Sequence, residues 1–212
     1  MDQVAAPLSR AGHALLFETG DDRIRYVLLP CRVWILETSV THRLSDGQFN
    51  LRRSECEAAL RLVEEHGVHA ASLADVPPER LPRLLREIPA PWGPRLRHLV
   101  SEVARTRLAA QALSSRDLTR LGELLVEGHH SLRVDYQSTC PEADLIVESA
   151  VRHGAYGARL TGAGWDGVVI AVMPEEREQA ILAAVAADFE KQYGRQPTTW
   201  ATRAAGGVRG EK

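Results

Sequence analysis

GARLTGAGWDGVVIAV, residues 157–172, decides how this chain is read: a glycine-rich loop set between two short apolar runs. Ala155 to Leu160 and Val168 to Met173 are short and bounded by Gly and Pro, which predicts two strands, the second buried on both faces. The loop therefore joins strand to strand. Gly162, Gly164 and Gly167 free the backbone to take positive φ and let a ligand approach closely, so the loop can hold a phosphate group. Phosphate loops of the GxGxxG and GxxxxGK[ST] kinds open onto a helix, whose N-terminal amides favour an anion, and this loop fits neither in that context. A glycine-rich hairpin turn is the other reading of the same residues.

Working outward, the stretch after the loop reads as helix and strand. Glu175 and Glu176 favour a helix start, Ile181, Ala184, Val185 and Phe189 form its buried face, and Gly194 closes it. Thr198 to Thr202 is a last strand. Before the loop the period is helical. Thr139 and Glu142 form a T-x-x-E box with Pro141 in the first turn, and Leu145, Ile146 and Ser149 run on to Gly154. Ser114 and Asp117 have the S-x-x-D spacing of a second box, ahead of Leu118, Leu121 and Leu125, with Gly128 placed to end that helix. Leu96, Leu99, Val100 and Val103 predict another. Between Val76 and Pro94 six prolines allow only short helical turns. From Arg52, the residues Cys56, Ala59, Leu60 and Val63 fall on one helical face until Gly67, with Arg52, Arg53 and Glu55 on the other side. Further back, His13 to Phe17, Ile24 to Leu29 and Val33 to Thr38 read as strands, with a turn at Asp21 and Asp22.

From Val33 onward this is β-α-β-β-α-β order, so the fold class is α+β: a ferredoxin-like layout with inserted helices, preceded by two extra strands. The tail at 205–212 has almost nothing to bury and reads as disordered. The net charge of −2 shows no basic excess that would mark a nucleic-acid or membrane-surface partner. No apolar run approaches the roughly 18 residues of a membrane span, and MDQVAAPLSR lacks a signal-peptide pattern, which makes the cytoplasm the expected location. Cys31, Cys56 and Cys140 are far apart with no CxxC spacing and read as reduced thiols.

Four segments in one order carry a resemblance. MDQ at 1–3 with GHALLFE at 12–18, then SVTHRLSDGQFNLRRSECEAALRL from Ser39, HHSLRVDYQSTCPEADLIVESA from His129 and GARLTGAGWDG from Gly157 are together similar to the C-terminal half of the galactokinase family, in the GHMP small-molecule kinase superfamily. The resemblance covers residues 1 to about 204. It implies ATP and magnesium, transfer of the γ-phosphoryl to the C1 hydroxyl of galactose, and catalysis resting on positioning and charge stabilisation. It makes residues 1–30 a remnant of the N-terminal kinase domain and 31–204 the C-terminal domain. The strands from residue 6 to 29 then lack sheet neighbours, which predicts self-association.

Residue by residue, Asp2 falls on the aspartate of the family's G-x-M-D-Q motif, the base or orienting group for the sugar hydroxyl; in the chain as given it reads as a frayed, solvated terminal carboxylate. Gly162, Gly164 and Gly167 would border the phosphate-transfer site. Phe49 stands where the family has a sugar-contacting tyrosine, and its alternative is core packing. Asp166 replaces a usual glycine and would repel phosphate. His42 and His130 match family positions with no catalytic role, and Arg52 and Arg53 read as solvated. The family's sugar signature and GLSSSA-like ATP loop have no counterpart in these 212 residues. The resemblance thus implies a start placed too late or a gene broken upstream, and leaves a non-catalytic, sugar-responsive regulator as the alternative function.

Overall fold

The computed structural model describes residues 2–39, 45–162, 164–165 and 167–208. In chain order the elements are α1 (Asp2–Leu8), β1 (His13–Glu18), β2 (Arg23–Leu28), β3 (Val33–Glu37), α2 (Ser45–Glu65), α3 (Leu81–Glu87), α4 (Trp92–Ser114), α5 (Leu118–Ser131), a π-helical turn (Leu132–Tyr136), α6 (Pro141–Arg152), β4 (Gly157–Leu160), β5 (Val168–Val172), α7 (Glu178–Tyr193) and β6 (Thr198–Thr202).

Strands β4, β5, β3 and β6 lie side by side in that order, every pair antiparallel. With the helical block between β3 and β4 and α7 between β5 and β6, this is the ferredoxin-like arrangement, an α+β fold. Alternation sets the faces. Trp34 and Leu36 of β3 point to one side with Val169 and Ala171 of β5, and all are buried. There they meet Ile146 and Val147 of α6 and Ile181, Val185 and Phe189 of α7 in one apolar core. Complete burial of a Leu36 or a Phe189 stabilises by about 1.5–3 kcal/mol.

The expectation that β5 is buried on both faces is corrected: Val168 and Ile170 are only half-buried. Helices α6 and α7 cover one face of the sheet, and on the other face Ile170 has Ile35 of β3 opposite it, with Trp200 of β6 beyond. Cover on that second face comes at β4, where α5 packs backbone to backbone. A Cβ on Gly122 would stand 2.0 Å from the Tyr156 carbonyl oxygen, and one on Gly157 would stand 2.0 Å from that of Gly122, so neither position admits a side chain.

A second apolar cluster joins α2, α3 and α4 through Ala59, Val63, Leu84, Leu96 and Val100. The proline-rich connector forms short turns at Leu73–Asp75 and Pro78–Arg80, as its composition predicts. Helix termini differ from expectation in three places. Asp117 itself caps α5, its carboxylate accepting the Arg120 N–H at 2.9 Å, while the Ser114 hydroxyl donates to the Ala110 carbonyl inside α4. Cys140, not Thr139, is the N-cap of α6, with Pro141 in the first turn. Gly128 does not end α5: the helix continues to Ser131, and the missing side chain leaves room for the Arg159 guanidinium.

Strands β1 and β2 form a hairpin of their own, and among the described residues β1 pairs with nothing else. Residues 205–208 correct the expected disordered tail. Gly207 N–H donates to Ser9 O at 2.8 Å and Val208 N–H to Ala6 O at 2.8 Å, and these bonds tie the segment to the end of α1. Residues 209–212 lie outside the described residues.

Candidate functional site

The glycine loop leaves β4 at Leu160 and returns at Val168, closed by the Thr161 N–H donating to the Val168 carbonyl at 2.9 Å. Its three glycines do different work. Gly167 lies against the end of β3, where a Cβ would fall 1.5 Å from Thr38 Oγ1, and its carbonyl accepts the Thr38 N–H at 2.7 Å. Gly164, at φ +89°, lies against Ser138: a Cβ would come within 2.7 Å of the Ser138 carbonyl oxygen. Gly162, at φ +83°, has nothing within 4 Å of its Cβ position and borders open space. Close approach to protein explains two of the glycines, and room beside the chain explains the third.

Beneath the loop is a polar core. Trp165, at φ +59°, donates its N–H to the Ser138 carbonyl at 2.7 Å. Ser138 is 1% exposed, and among the described residues its hydroxyl has no hydrogen-bond partner. It follows Gln137, which sits in the left-handed region at φ 54° where the π-helical turn ends. Two buried arginines hold this turn. Arg95 of α4, 2% exposed, donates from Nε to Glu55 at 2.8 Å, from Nη1 to the Asp135 carbonyl and from Nη2 to Gln137 Oε1 at 2.8 Å. Arg52 of α2, 4% exposed, donates to the same Glu55 oxygen at 2.8 Å and to the Gln137 carbonyl at 3.4 Å. Its guanidinium lies over the rings of Tyr136 and Trp165, at 5.4 and 6.0 Å. One carboxylate thus serves two guanidiniums, which leaves the neighbourhood net positive.

A cleft of about 410 Å³ opens beside this core, lined by Gln48 and Arg52 of α2, Gln137, the start of α6 from Thr139 to Pro141, and Trp165. The depressions of about 480 and 570 Å³ lie at the base and the tip of the β1–β2 hairpin, and neither is lined by a residue of the glycine loop. Behind the polar core His98 stacks on Tyr136 with ring centroids 4.6 Å apart, and its Nδ1 meets the Ser131 hydroxyl at 2.9 Å. Burial lowers His98 to about 4 and raises the Tyr136 phenol to about 12, so at neutral pH both rings are uncharged.

Gly162, Gly164 and Gly167 share this loop; Asp166 and His42 lie outside the described residues. Asp2 is the first residue of α1, and its side chain lies outside what is described. Phe49 is half-exposed on α2, which sets aside core packing. Arg53 is solvated and paired with Glu57 at 3.0 Å, but Arg52 is not solvated: it faces inward over the turn, correcting the sequence reading. His130 is exposed at the end of α5. Sequence reasoning missed Arg95, Gln137 and Ser138, and also His129, whose two ring nitrogens join the Leu160 N–H at 3.2 Å and Asp144 at 3.1 Å. His129 therefore braces β4 against α6 from the end of α5. Among the described residues no group of three or more His, Cys, Asp or Glu side chains is gathered that would hold a metal ion, and no helix is long and apolar enough to cross a membrane.

Residues 109–191 match the family model for the GHMP kinase C-terminal domain, the stretch that contains α5, α6, the glycine loop and most of α7. Over this stretch the chain is similar to the C-terminal domain of the GHMP kinases. Within that class its similarity is to galactokinases. It is 36% identical over 211 residues to the galactokinase of Chloroflexus aggregans, an alignment covering 98% of this chain and 54% of that one. The solved Lactococcus lactis galactokinase in complex with galactose superposes with a TM-score of 0.90 at 28% identity, over 97% of this chain and 54% of the other. The mevalonate kinase of L. major, at a TM-score of 0.58 and 16% identity, shares the fold. The chain spans about half the length of the curated relatives it matches.

Proposed function

We propose that this chain acts as the C-terminal part of a galactokinase-like sugar 1-kinase, with residues 1–30 belonging to the domain that precedes it and 31–204 forming the C-terminal domain. The reaction joins the C1 hydroxyl oxygen of galactose to the γ-phosphorus of ATP, breaks the bond from that phosphorus to the β–γ bridging oxygen, and releases ADP. The observation that carries this reading is the 36% identity to galactokinases along 98% of the chain, glycine loop included. In the loop, Gly162 offers the open backbone a phosphate can approach, while Gly164 and Gly167 shape the turn. Asp2 takes the role of base or orienting carboxylate for the sugar hydroxyl. Asp166 places a negative charge beside the phosphates. Magnesium would accompany ATP, and no described residue is assigned to it. By itself the 212-residue chain is expected not to turn over, since positioning and charge stabilisation would also draw on groups in the remaining length of the relatives.

The second reading, a sugar-responsive regulator, is favoured by one observation: Phe49 stands exposed on α2 with no hydroxyl to offer a sugar. Mixing the purified chain with the N-terminal half of the Chloroflexus aggregans galactokinase, then measuring galactose binding and ADP release, tests both. Turnover that Asp2→Asn abolishes supports the kinase. Galactose binding without turnover supports the regulator, and a mixture with neither overturns both.

The open edge of β1 gives self-association its motive. Leu29 N–H pairs with Gly12 O, so by antiparallel alternation the backbone groups of Leu15 and Phe17 point away from β2. A clean monomer in sedimentation, with slow amide exchange at Leu15 and Phe17, would remove that proposal.

A further inference from the structure

Among the described residues the glycine loop is hydrogen-bonded to the polar core through Ser138. Ser138 accepts the Trp165 N–H at 2.7 Å and fills the space that Gly164 leaves open, while its own N–H is held by the Leu132 carbonyl at 3.0 Å. The position of Ser138 is set in turn by Gln137, a non-glycine residue in the left-handed region. That conformation is strained for a residue with a side chain and persists only where its surroundings hold it. Two side chains hold it: Arg95 grips Gln137 Oε1 and the Asp135 carbonyl with the two ends of its guanidinium while Glu55 fixes its third nitrogen, and Arg52 donates to the Gln137 carbonyl at 3.4 Å.

We infer that Arg95 is a positioning residue for the glycine loop, acting through Gln137 and Ser138 on Trp165. Arg95 does not line the cleft and is 2% exposed, so it touches no ligand there. It sets where the loop stands instead. The fork is what makes this possible, because a planar guanidinium presents donors in fixed directions and the flexible ammonium of a lysine does not. Arg52 supplies a weaker, direct hold on the same loop through its position over the Trp165 ring, 6.0 Å away.

This inference gives a regulation to the site whose function is proposed above and rests on that reading only for its consequence, looser binding of sugar and nucleotide. Its mechanical content is tested on the chain alone, by hydrogen exchange resolved at the Trp165 amide. Gln137→Ala, which removes the Arg95 contact and keeps every charge, should speed exchange at Trp165 by about 10-fold or more, while the amides of Leu36 and Val169 in the sheet and the urea midpoint hold within error. Arg95→Lys, which keeps the charge and loses the fork, should also speed exchange at Trp165. Gln137→Glu, which keeps an acceptor for the fork, should leave Trp165 protected. Unchanged exchange at Trp165 in Gln137→Ala overturns the inference, and so does an increase that Leu36 and Val169 share, since that is general loosening. Failure of the mixture with the Chloroflexus aggregans N-terminal half to bind galactose or release ADP would count against the proposed function and leave these exchange rates unaffected.

Discussion

Beneath the four-stranded sheet the chain is held by apolar area; beneath the glycine loop it is held by directed hydrogen bonds. The first region gathers Trp34, Leu36, Val169, Ile181 and Phe189 from strands and helices that alternate or recur with the expected period. The second gathers Arg52, Glu55, Arg95, Gln137 and Ser138 from two helices and a turn, with two buried guanidiniums sharing one partly buried carboxylate. Apolar packing is non-directional, so its parts are individually replaceable by residues of similar volume. A buried ionic network tolerates change differently: losing one member strands the others, while losing all members together can be nearly neutral.

The largest expected effect is in the apolar region. Phe189 is fully buried between α7 and the sheet, and Phe189→Ala should lower the unfolding free energy by about 3–5 kcal/mol, through lost burial and the cavity left behind. Urea denaturation with an unchanged slope reads this directly. A loss below about 1 kcal/mol would mean that α7 settles into the space, and the contrast with the polar core would fail on its apolar side.

Next is the shared carboxylate. Glu55→Gln leaves Arg52 and Arg95 buried without a counter-charge and should cost about 3 kcal/mol. The comparison is sharpest in the combined variant, Glu55→Leu with Arg52→Met and Arg95→Met, which should recover most of that loss. If the combined variant is as unstable as Glu55→Gln, the network contributes net stability beyond mutual neutralisation, and the contrast between the two regions narrows.

The same contrast explains what was legible in the sequence. Strand alternation and helical recurrence report apolar burial, so β3, β5, β6 and α7 follow from the letters, and their order implies the ferredoxin-like sheet. Three glycines between two short apolar runs located the loop, and the resemblance gave it a role. Arg52 and Arg95 could not be read this way, because a charged residue on a helix normally marks the solvated side and their burial depends on partners 40 and more positions away: Arg95 to Glu55, and Arg52 to Gln137. Gln137 in the left-handed region and Gly122 against Gly157 are likewise tertiary facts. The misread end of α5 has a local cause, since Gly128 looks like a helix stop and serves as a gap for Arg159.

His98 tests the polar side by pH. Burial lowers its folded value to about 4 against an ordinary 6.5, outweighing the pull of Glu102 and Asp135 in the other direction. As pH falls, the unfolded chain takes up this proton first, so the stability His98 contributes is intact above about 6.5 and is lost progressively towards 4. The loss should reach about 2–3 kcal/mol. Urea midpoints at pH 7, 5.5 and 4.5 should fall in order, and His98→Gln should flatten that slope. Asp188, held down to about 2 by Ser149, Arg152 and His153, acts only below this window. A slope undiminished in His98→Gln would assign the pH dependence to other groups.

The smallest effect is the most informative about the loop. Gly162 and Gly164 both have positive φ, so alanine at either carries a backbone strain of about 1 kcal/mol. Only Gly164 adds a collision, with Ser138, and Gly164→Ala should therefore destabilise distinctly more than Gly162→Ala. A Gly164→Asp substitution is accordingly no clean probe of charge, since it would displace Ser138 before any phosphate arrived. Gly162→Ala is the cleaner probe, because its Cβ meets only open space. If that space is where a phosphate lies, Gly162→Ala in the complemented enzyme should raise the KM for ATP while the unfolding midpoint shifts by no more than the strain of one residue. Equal stability losses at the two glycines would remove the packing distinction between them. An unchanged KM with Gly162→Ala would leave the loop as a turn that holds Trp165 in place and takes no direct part in binding phosphate.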